Sequence, residues 1–334
     1  MTQSLYVNTL LGGGAMQPSE TGFNYGDPYD NLYAFGKIWA GYEQPVIGAF
    51  HGLMYGRVGT ARMQPLFGYT GTGLVQAKVA ENGDLLLKSR ETGYFTDLET
   101  GDILEHWYNP YTEETVEVYH FYNDCLIGRI GPSMPTLLMD SKGGSPTLIN
   151  EGTVFPNASD TTPFTLPFQQ YGDDLMVSWD YTHSYENPVN PEYWPRASTG
   201  KIISPSEHFT LQVNRTELED RDLPTVRMTG GFTRVSQWWP FMRMGGTPFA
   251  DGVLFGRCFS HKGLTDYGDI PQKLFAYLEK HAPEQLTFPD DSWEPRMERI
   301  DTWKAYAQDM DYETAPNQKR RQPSFIVPTG CGRS

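Results

Sequence analysis

Turn residues interrupt this chain at short, regular intervals, and that rhythm leaves few folds open. Residues 72–80 and 85–89 flank Glu81-Asn82-Gly83-Asp84, and an Asn-Gly pair between two such runs is a strong tight-hairpin signal. Residues 102–108 and 115–122 repeat the pattern around Asn109-Pro110-Tyr111-Thr112-Glu113-Glu114, a longer turn with proline in a permitted place. Further strand-like runs follow at 175–181, 209–215, 225–235 and 252–260, with Pro188, Pro191, Pro195 and Pro205 in the loops between them. Three segments have helical period instead: 29–39 (Leu32, Phe35, Ile38, Trp39), 272–281 behind Pro271, and 300–310 (Ile300, Trp303, Tyr306, Ala307). Many short strands with few helices specify a mainly β, antiparallel body. The expected fold is one large β-barrel or sandwich of lipocalin or calycin type with a few peripheral helices. No linker divides it. Residues 1–28 read as an irregular N-terminal segment, 29–316 as a single mostly-β domain and 317–334 as a C-terminal tail, with 131–172 a long ordered loop or crossing segment.

Charge narrows the partners. The 334 residues carry 26 Lys and Arg against 41 Asp and Glu, a net charge of −15. Phosphate contacts need a basic face, so neither nucleic acid nor an anionic membrane surface is expected as a partner. No apolar run approaches the roughly 20 residues of a membrane span. Aromatic residues reach 14%, which goes with a buried interior and not with disorder. The three cysteines, Cys125, Cys258 and Cys331, are odd in number and widely spaced, a poor disulfide framework. No basic region precedes the short apolar run Leu10-Leu11-Gly12-Gly13-Gly14-Ala15-Met16, so the expected location is cytoplasmic. A homo-oligomer is left open.

Familiar cofactor motifs are missing. Gly68-Tyr69-Thr70-Gly71-Thr72-Gly73 superficially resembles a phosphate loop, but the residues after it alternate like a strand where a dinucleotide loop must open a helix; it reads as a turn. The seven histidines are scattered without ligand spacing. The expectation is acid–base chemistry with no cofactor and no metal.

Three stretches could carry that chemistry. Across residues 116–124, strand alternation would put Val116, Val118, His120, Tyr122 and Asp124 on one face, an apolar floor ending in an imidazole, a phenol and a carboxylate. The alternative is that His120 and Tyr122 are hydrogen-bonded core residues. The partner strand offers Trp107. Residues 232–245 combine Trp238, Trp239 and Met242 with Arg234 and Arg243, either an aromatic wall with anion partners or a plug with surface ion pairs. In Ser206-Glu207-His208, strand geometry lets only one of Glu207 and His208 face a pocket.

The strings Gly93-Tyr94-Phe95-Thr96-Asp97-Leu98-Glu99-Thr100-Gly101-Asp102-Ile103-Leu104, Trp107-Tyr108-Asn109-Pro110-Tyr111-Thr112, His120 with Asn123-Asp124, Pro205-Ser206-Glu207, Trp238-Trp239-Pro240-Phe241-Met242-Arg243-Met244-Gly245 and Asp269-Ile270-Pro271 together resemble the family called domain of unknown function 1838, over roughly residues 30–316. Glu113 stands where that family usually has glycine, Cys125 where it has proline, and its frequent twin-arginine leader has no counterpart here. The resemblance implies no established activity.

The expected function is therefore a cofactor-independent lyase or isomerase acting on a hydrophobic, aromatic (phenolic) or terpenoid small molecule, for example by retro-aldol loss of a small aldehyde. His120 is cast as base, Tyr122 as donor, Asp124 as orienting acid and Arg234 as anion partner. His51, Trp107, Glu207, Trp238, Trp239, Met242 and Arg243 are expected to line the pocket. A non-catalytic carrier with the same aromatic wall is the alternative.

Overall fold

The computed structural model describes residues 22–123, 125–133, 137–139, 146–148, 163–182, 184–296 and 301–314. Three long strands open the body: β1 (Val46–Arg57), β2 (Gln64–Val79) and β3 (Leu85–Thr96). A small hairpin follows, β4 (His106–Asn109) with β5 (Glu114–Glu117), and then β6 (Phe121–Tyr122) and β7 (Leu126–Ile130). Next come β8 (Leu137–Met139), β9 (Pro146–Leu148), β10 (Phe168–Tyr171), β11 (Asp174–Thr182), β12 (Tyr185–Glu186) and β13 (Ile202–Ile203). The body closes with β14 (Ser206–Asn214), β15 (Met228–Gln237) and β16 (Val253–Leu264). Ten of these strands make one antiparallel sheet in the order β10-β11-β14-β15-β16-β1-β2-β3-β6, with β7 also paired to β3. The protein is mainly β, a large antiparallel sheet with few helices.

Register explains how this sheet builds an interior. Glu207 pairs with Arg234, Arg234 with Gly256 and Gly256 with Met54, so these four side-chain positions cross β14, β15, β16 and β1 on one face. The next rows add Phe209, Phe232, Cys258, Gly52, Tyr69 and Phe95. At two glycines of this face an aromatic ring takes the room of a side chain: a Cβ on Gly71 would sit 2.1 Å from a Phe50 ring carbon, and one on Gly93 2.3 Å from the Tyr69 hydroxyl oxygen.

A helix curls the sheet by filling its concave end. Pro28–Trp39 begins where the Asp27 carboxylate accepts from the backbone N–H groups of Tyr29 and Asp30, with proline in the first turn. Its buried Leu32, Ala34 and Ile38 pack in one cluster with Ala77, Leu85 and Ile130 from the β2-β3-β7 side and with Phe168, Leu175, Val177 and Leu211 from the β10-β11-β14 side. Strands remote in the sheet order therefore share one helix as their core. Lys262 fastens its C-terminal end: the ammonium donates to the carbonyls of Lys37, Ala40 and Val226 and to the Thr225 hydroxyl at 2.8–3.0 Å. The opposite end is packed with Phe67, Trp107, Trp238, Phe241, Met242, Met244 and Trp303. Outside, the helix Gln272–His281 lays Leu274 and Leu278 on Ile47, Leu74 and Tyr94.

The three expected helices stand at Pro28–Trp39, Gln272–His281 and Thr302–Asp309, and the Asn-Gly hairpin joins β2 to β3. Two local readings need correction. Gly68-Tyr69-Thr70-Gly71-Thr72-Gly73 is not a turn; it lies inside β2, where Gly71 makes room for the Phe50 ring and Gly68 for the Thr96 hydroxyl. Nor is 115–122 one strand: β5 and β6 belong to different sheets, and residues 118–120 cross between them. Among the described residues the β10 edge and the β6-β7 edge share no ladder, so strand pairing leaves the curled sheet open. Most of 131–172, the segments 1–21 and 315–334, and Asp124 lie outside the described residues.

Candidate functional site

The curl encloses a chamber of 340 Å³ between the helix and the aromatic plug. Its apolar walls form two groups of rings. Trp39, Phe209 and Phe232 stand toward the helix, with centroids 6.1 Å and 5.8 Å apart in sequence. Phe95, Tyr69 and Trp239 stand toward the plug, Phe95 lying 5.2 Å from Tyr69 and 4.7 Å from Trp239. Phe50 joins them, 5.2 Å from Tyr69 and 6.1 Å from Phe232. Such a chamber holds a small molecule by area and leaves specificity to a few polar groups.

The polar groups that line the chamber include Glu91, Tyr69, Glu207 and Arg234, with Asn123, His261, Lys262 and Asp301 also on its wall. Arg234 Nη1 donates to Glu207 Oε1 at 2.8 Å, with side-chain exposures of 22% and 19% that mark a pair inside the cavity. The guanidinium also lies 5.7 Å from the Trp303 ring centroid. Glu91 has no such partner: among the described residues no side chain hydrogen-bonds or ion-pairs with its carboxyl. Burial first, and the Glu207 charge second, push that carboxyl up to about 7. Asn123, just past β6, fixes the Glu91 backbone, its Oδ1 accepting from the Glu91 N–H at 2.7 Å while its own N–H donates to the Glu91 carbonyl at 2.9 Å. Tyr69 is held well above the ordinary phenol range by burial and then by the Glu91 charge, so its hydroxyl stays a proton donor. A carboxyl that exchanges its proton near neutrality, beside an obligate phenol donor in an apolar chamber, is equipped for proton transfer. Among the described residues no three His, Cys, Asp or Glu side chains group to hold a metal ion.

Over residues 43–309 the sequence matches the family described as "Protein of unknown function (DUF1838)". The chain belongs to that family. The span includes every strand of the chamber and ends on the helix Thr302–Asp309. No curated protein matches. Among solved structures the DUF1838 chain aligns with engineered porins of Rhodopseudomonas blastica. One such porin mutant shares 8% identity over 66% of this chain and 99% of that one at a TM-score of 0.19, and a triple mutant shares 9% over the same fractions at 0.17. No helix among the described residues is long and apolar enough to cross a membrane.

Of the residues expected at the site, this DUF1838 chain brings Glu207, Arg234 and Trp239 to the chamber. It does not bring His120. Crossing between sheets, His120 accepts the Phe95 N–H on Nδ1 at 3.2 Å and lies 5.7 Å from the Phe95 ring, behind the chamber wall. Burial pulls its imidazole down to about 4, against the opposing Leu104 carbonyl, and keeps it neutral. Tyr122 pairs in register with Thr92, while Phe121 and Asn123 line the cavity, so alternation turns Tyr122 to the other face. Trp107 and Trp238 are plug residues whose indole N–H groups donate to the carbonyls of Leu66 (3.3 Å) and Phe249 (2.8 Å). Met242 is fully buried there, its carbonyl accepting from the Asn109 amide at 2.7 Å. Arg243 occupies a left-handed turn at φ 57° and faces Glu313 at 3.6 Å. His51 is exposed on the outer sheet face beside Phe259. Glu91 and Tyr69 lie just beyond the strand-like runs 85–89 and 72–80, and belong to the longer β3 and β2. Continued, the first alternates Ser89, Glu91, Gly93, Phe95, a lone carboxylate among small and apolar residues.

Proposed function

We propose that this protein is an acid–base enzyme of the lyase or isomerase type, acting on a hydrophobic, hydroxylated aromatic small molecule held in the chamber. The observation that carries the reading is Glu91, a carboxyl without a side-chain partner among the described residues, able to take and return a proton near neutral pH, in a chamber walled mainly by aromatic and other apolar residues. Its carboxylate removes the proton of a substrate hydroxyl, and the Tyr69 hydroxyl donates a hydrogen bond to the oxygen that gains charge. In a retro-aldol version the hydroxyl loses its proton to Glu91 and its oxygen becomes an aldehyde carbonyl. The adjacent C–C bond breaks, and its electron pair passes into the conjugated ring system, where the same proton is returned to carbon. Atoms and electrons balance without an external oxidant. The Glu207–Arg234 pair supplies a fixed dipole at the other end of the chamber. The same reading takes the sheet as a lipocalin-like barrel whose open seam the helix Pro28–Trp39 fills, working in the cytoplasm.

The test is a screen of neutral phenols and terpenoid alcohols for conversion by the wild type, Glu91→Gln and His120→Ala. The reading expects turnover that falls by about 10²-fold or more in Glu91→Gln, the size of a lost general base, and survives in His120→Ala. Binding without conversion by the wild type would instead make the protein a carrier, and undiminished turnover in Glu91→Gln would remove the assigned base.

A further inference from the structure

We propose that Gly48 and Gly73, neighbours in register on β1 and β2, form a bare pad on which a planar ring of the ligand lies flat, its hydroxyl edge toward Glu91. This inference rests on the small-molecule reading of the chamber and names the shape it selects.

Elsewhere on the inner face the protein itself fills the space at each glycine, with backbone of the neighbouring strand at Gly52 and Gly230 and with side chains at the others. Phe50 lies on Gly71 and Tyr69 on Gly93. The Met54 side chain reaches within 2.8 Å of a Cβ built on Gly256, and the Trp238 ring within 2.8 Å of one built on Gly56. At Gly48 and Gly73 nothing does so. A Cβ on Gly48 would meet nothing nearer than the His261 carbonyl oxygen at 3.7 Å, and one on Gly73 nothing nearer than the Arg90 carbonyl oxygen at 3.6 Å. Those are ordinary van der Waals contacts. Neither residue is among the glycines with positive φ. Alanine would fit both places, and glycine inside a strand costs backbone entropy without packing in return.

The pair is contiguous. Gly48 and Gly73 face each other across the β1–β2 ladder, and both line the chamber. The same row continues to Lys262 beyond Gly48 and to Glu91 beyond Gly73. The Lys262 Cγ is 3.8 Å from the Gly48 Cβ position, its ammonium already engaged by four oxygens. The Glu91 Cγ is 3.7 Å from the Gly73 Cβ position. The pad is thus an apolar strip with a lysine stem on one side and, on the other, a carboxyl that has no side-chain partner among the described residues. A flat ring repeats there what Phe50 and Tyr69 do on their own glycines, and a hydroxyl on its rim reaches Glu91. A puckered saturated ring cannot make that face-to-backbone contact over its whole area.

The probes are 2-naphthol, planar and neutral, and decahydro-2-naphthol, the same skeleton puckered, titrated calorimetrically into the wild type, Gly48→Ala and Gly73→Ala, with melting followed in parallel. The wild type is expected to bind the planar probe about tenfold more tightly, and each alanine to abolish that preference while leaving Tm within about 5 °C of wild type or raising it. Equal binding of the two probes by the wild type, no binding of either, unchanged planar preference in both variants, or a larger fall in Tm in both would overturn the pad. Failure of the pad alone leaves Glu91→Gln still defective in turnover. Failure of the catalytic reading leaves the planar preference and its loss in the glycine variants intact, with no conversion by the wild type.

Discussion

Glu91 and Glu207 line one chamber, yet only Glu207 has a cationic partner, Arg234 at 2.8 Å. That asymmetry separates two carboxylates of the same type into different tasks. Glu207 is held in its ion pair with the guanidinium, whereas Glu91 is pushed up to about 7 by burial and then by the Glu207 charge. Removing the neighbour should therefore retune the base. In Glu207→Gln the Glu91 carboxyl ionises at lower pH, because a repelling charge is gone and Arg234 is left facing the chamber. The ionisation limb of the pH–rate profile moves to the acid side; an unmoved limb contradicts the coupling.

The Glu207–Arg234 pair is also a stability element. Arg234→Met leaves a carboxylate inside the cavity without its partner, at a cost of roughly 2–4 kcal/mol in denaturant unfolding. Replacing both residues, Glu207→Gln with Arg234→Met, recovers most of that loss, since no unpaired charge remains. A double variant as unstable as the sum of the two single ones would mean the residues act independently.

Glu91 and His120 pull stability in opposite directions as pH falls. Glu91 has its folded pKa raised from an ordinary 4.5 to about 7, so the folded state gains protons first and stability rises as pH drops across that window. His120 is lowered from 6.5 to about 4, so the unfolded state gains protons first and stability falls as pH drops. The wild type is expected to be nearly flat between pH 7 and pH 5. Glu91→Gln should lose Tm on acidification through that range and His120→Gln should gain it. Parallel melting curves for the two variants would refute the opposed signs.

His120 holds the wall and does not touch the chamber. Its Nδ1 accepts the Phe95 N–H where β3 runs past its edge partner, so His120→Ala strands a backbone donor and costs about 1–3 kcal/mol. Ligand affinity at a temperature where the variant is folded should match the wild type. Loss of binding without loss of stability would return His120 to the site.

Much of this architecture was legible in the residues. Period 3.6 located the helices because Leu32, Ile38, Leu274 and Leu278 must each face a sheet, and Asn82-Gly83 located the longest hairpin because few other residue pairs turn so tightly. Arg234, Glu207 and Trp239 reached the chamber as their residue types suggested. What alternation could not reveal was where a strand stops. Val116 and Tyr122 look like one strand in sequence, but the chain leaves one sheet and joins another between them, and parity does not survive such a crossing. Glycine misled in the opposite direction. At Gly68, Gly71 and Gly73 it looked like a turn, whereas the three lie within one strand and Gly71 is bare because a ring lies over it, a contact that depends on tertiary structure.

The central claim is that the Glu91 carboxyl exchanges its proton near neutrality inside the chamber. Its most direct test is a carbon-13 NMR titration of protein labelled at glutamate side-chain carboxyls, with the Glu91 signal assigned by its disappearance in Glu91→Gln. The account predicts that this signal titrates near pH 7, apart from the exposed glutamates, and that 2-naphthol shifts it. A Glu91 signal that titrates with the exposed glutamates and ignores the probe would contradict it.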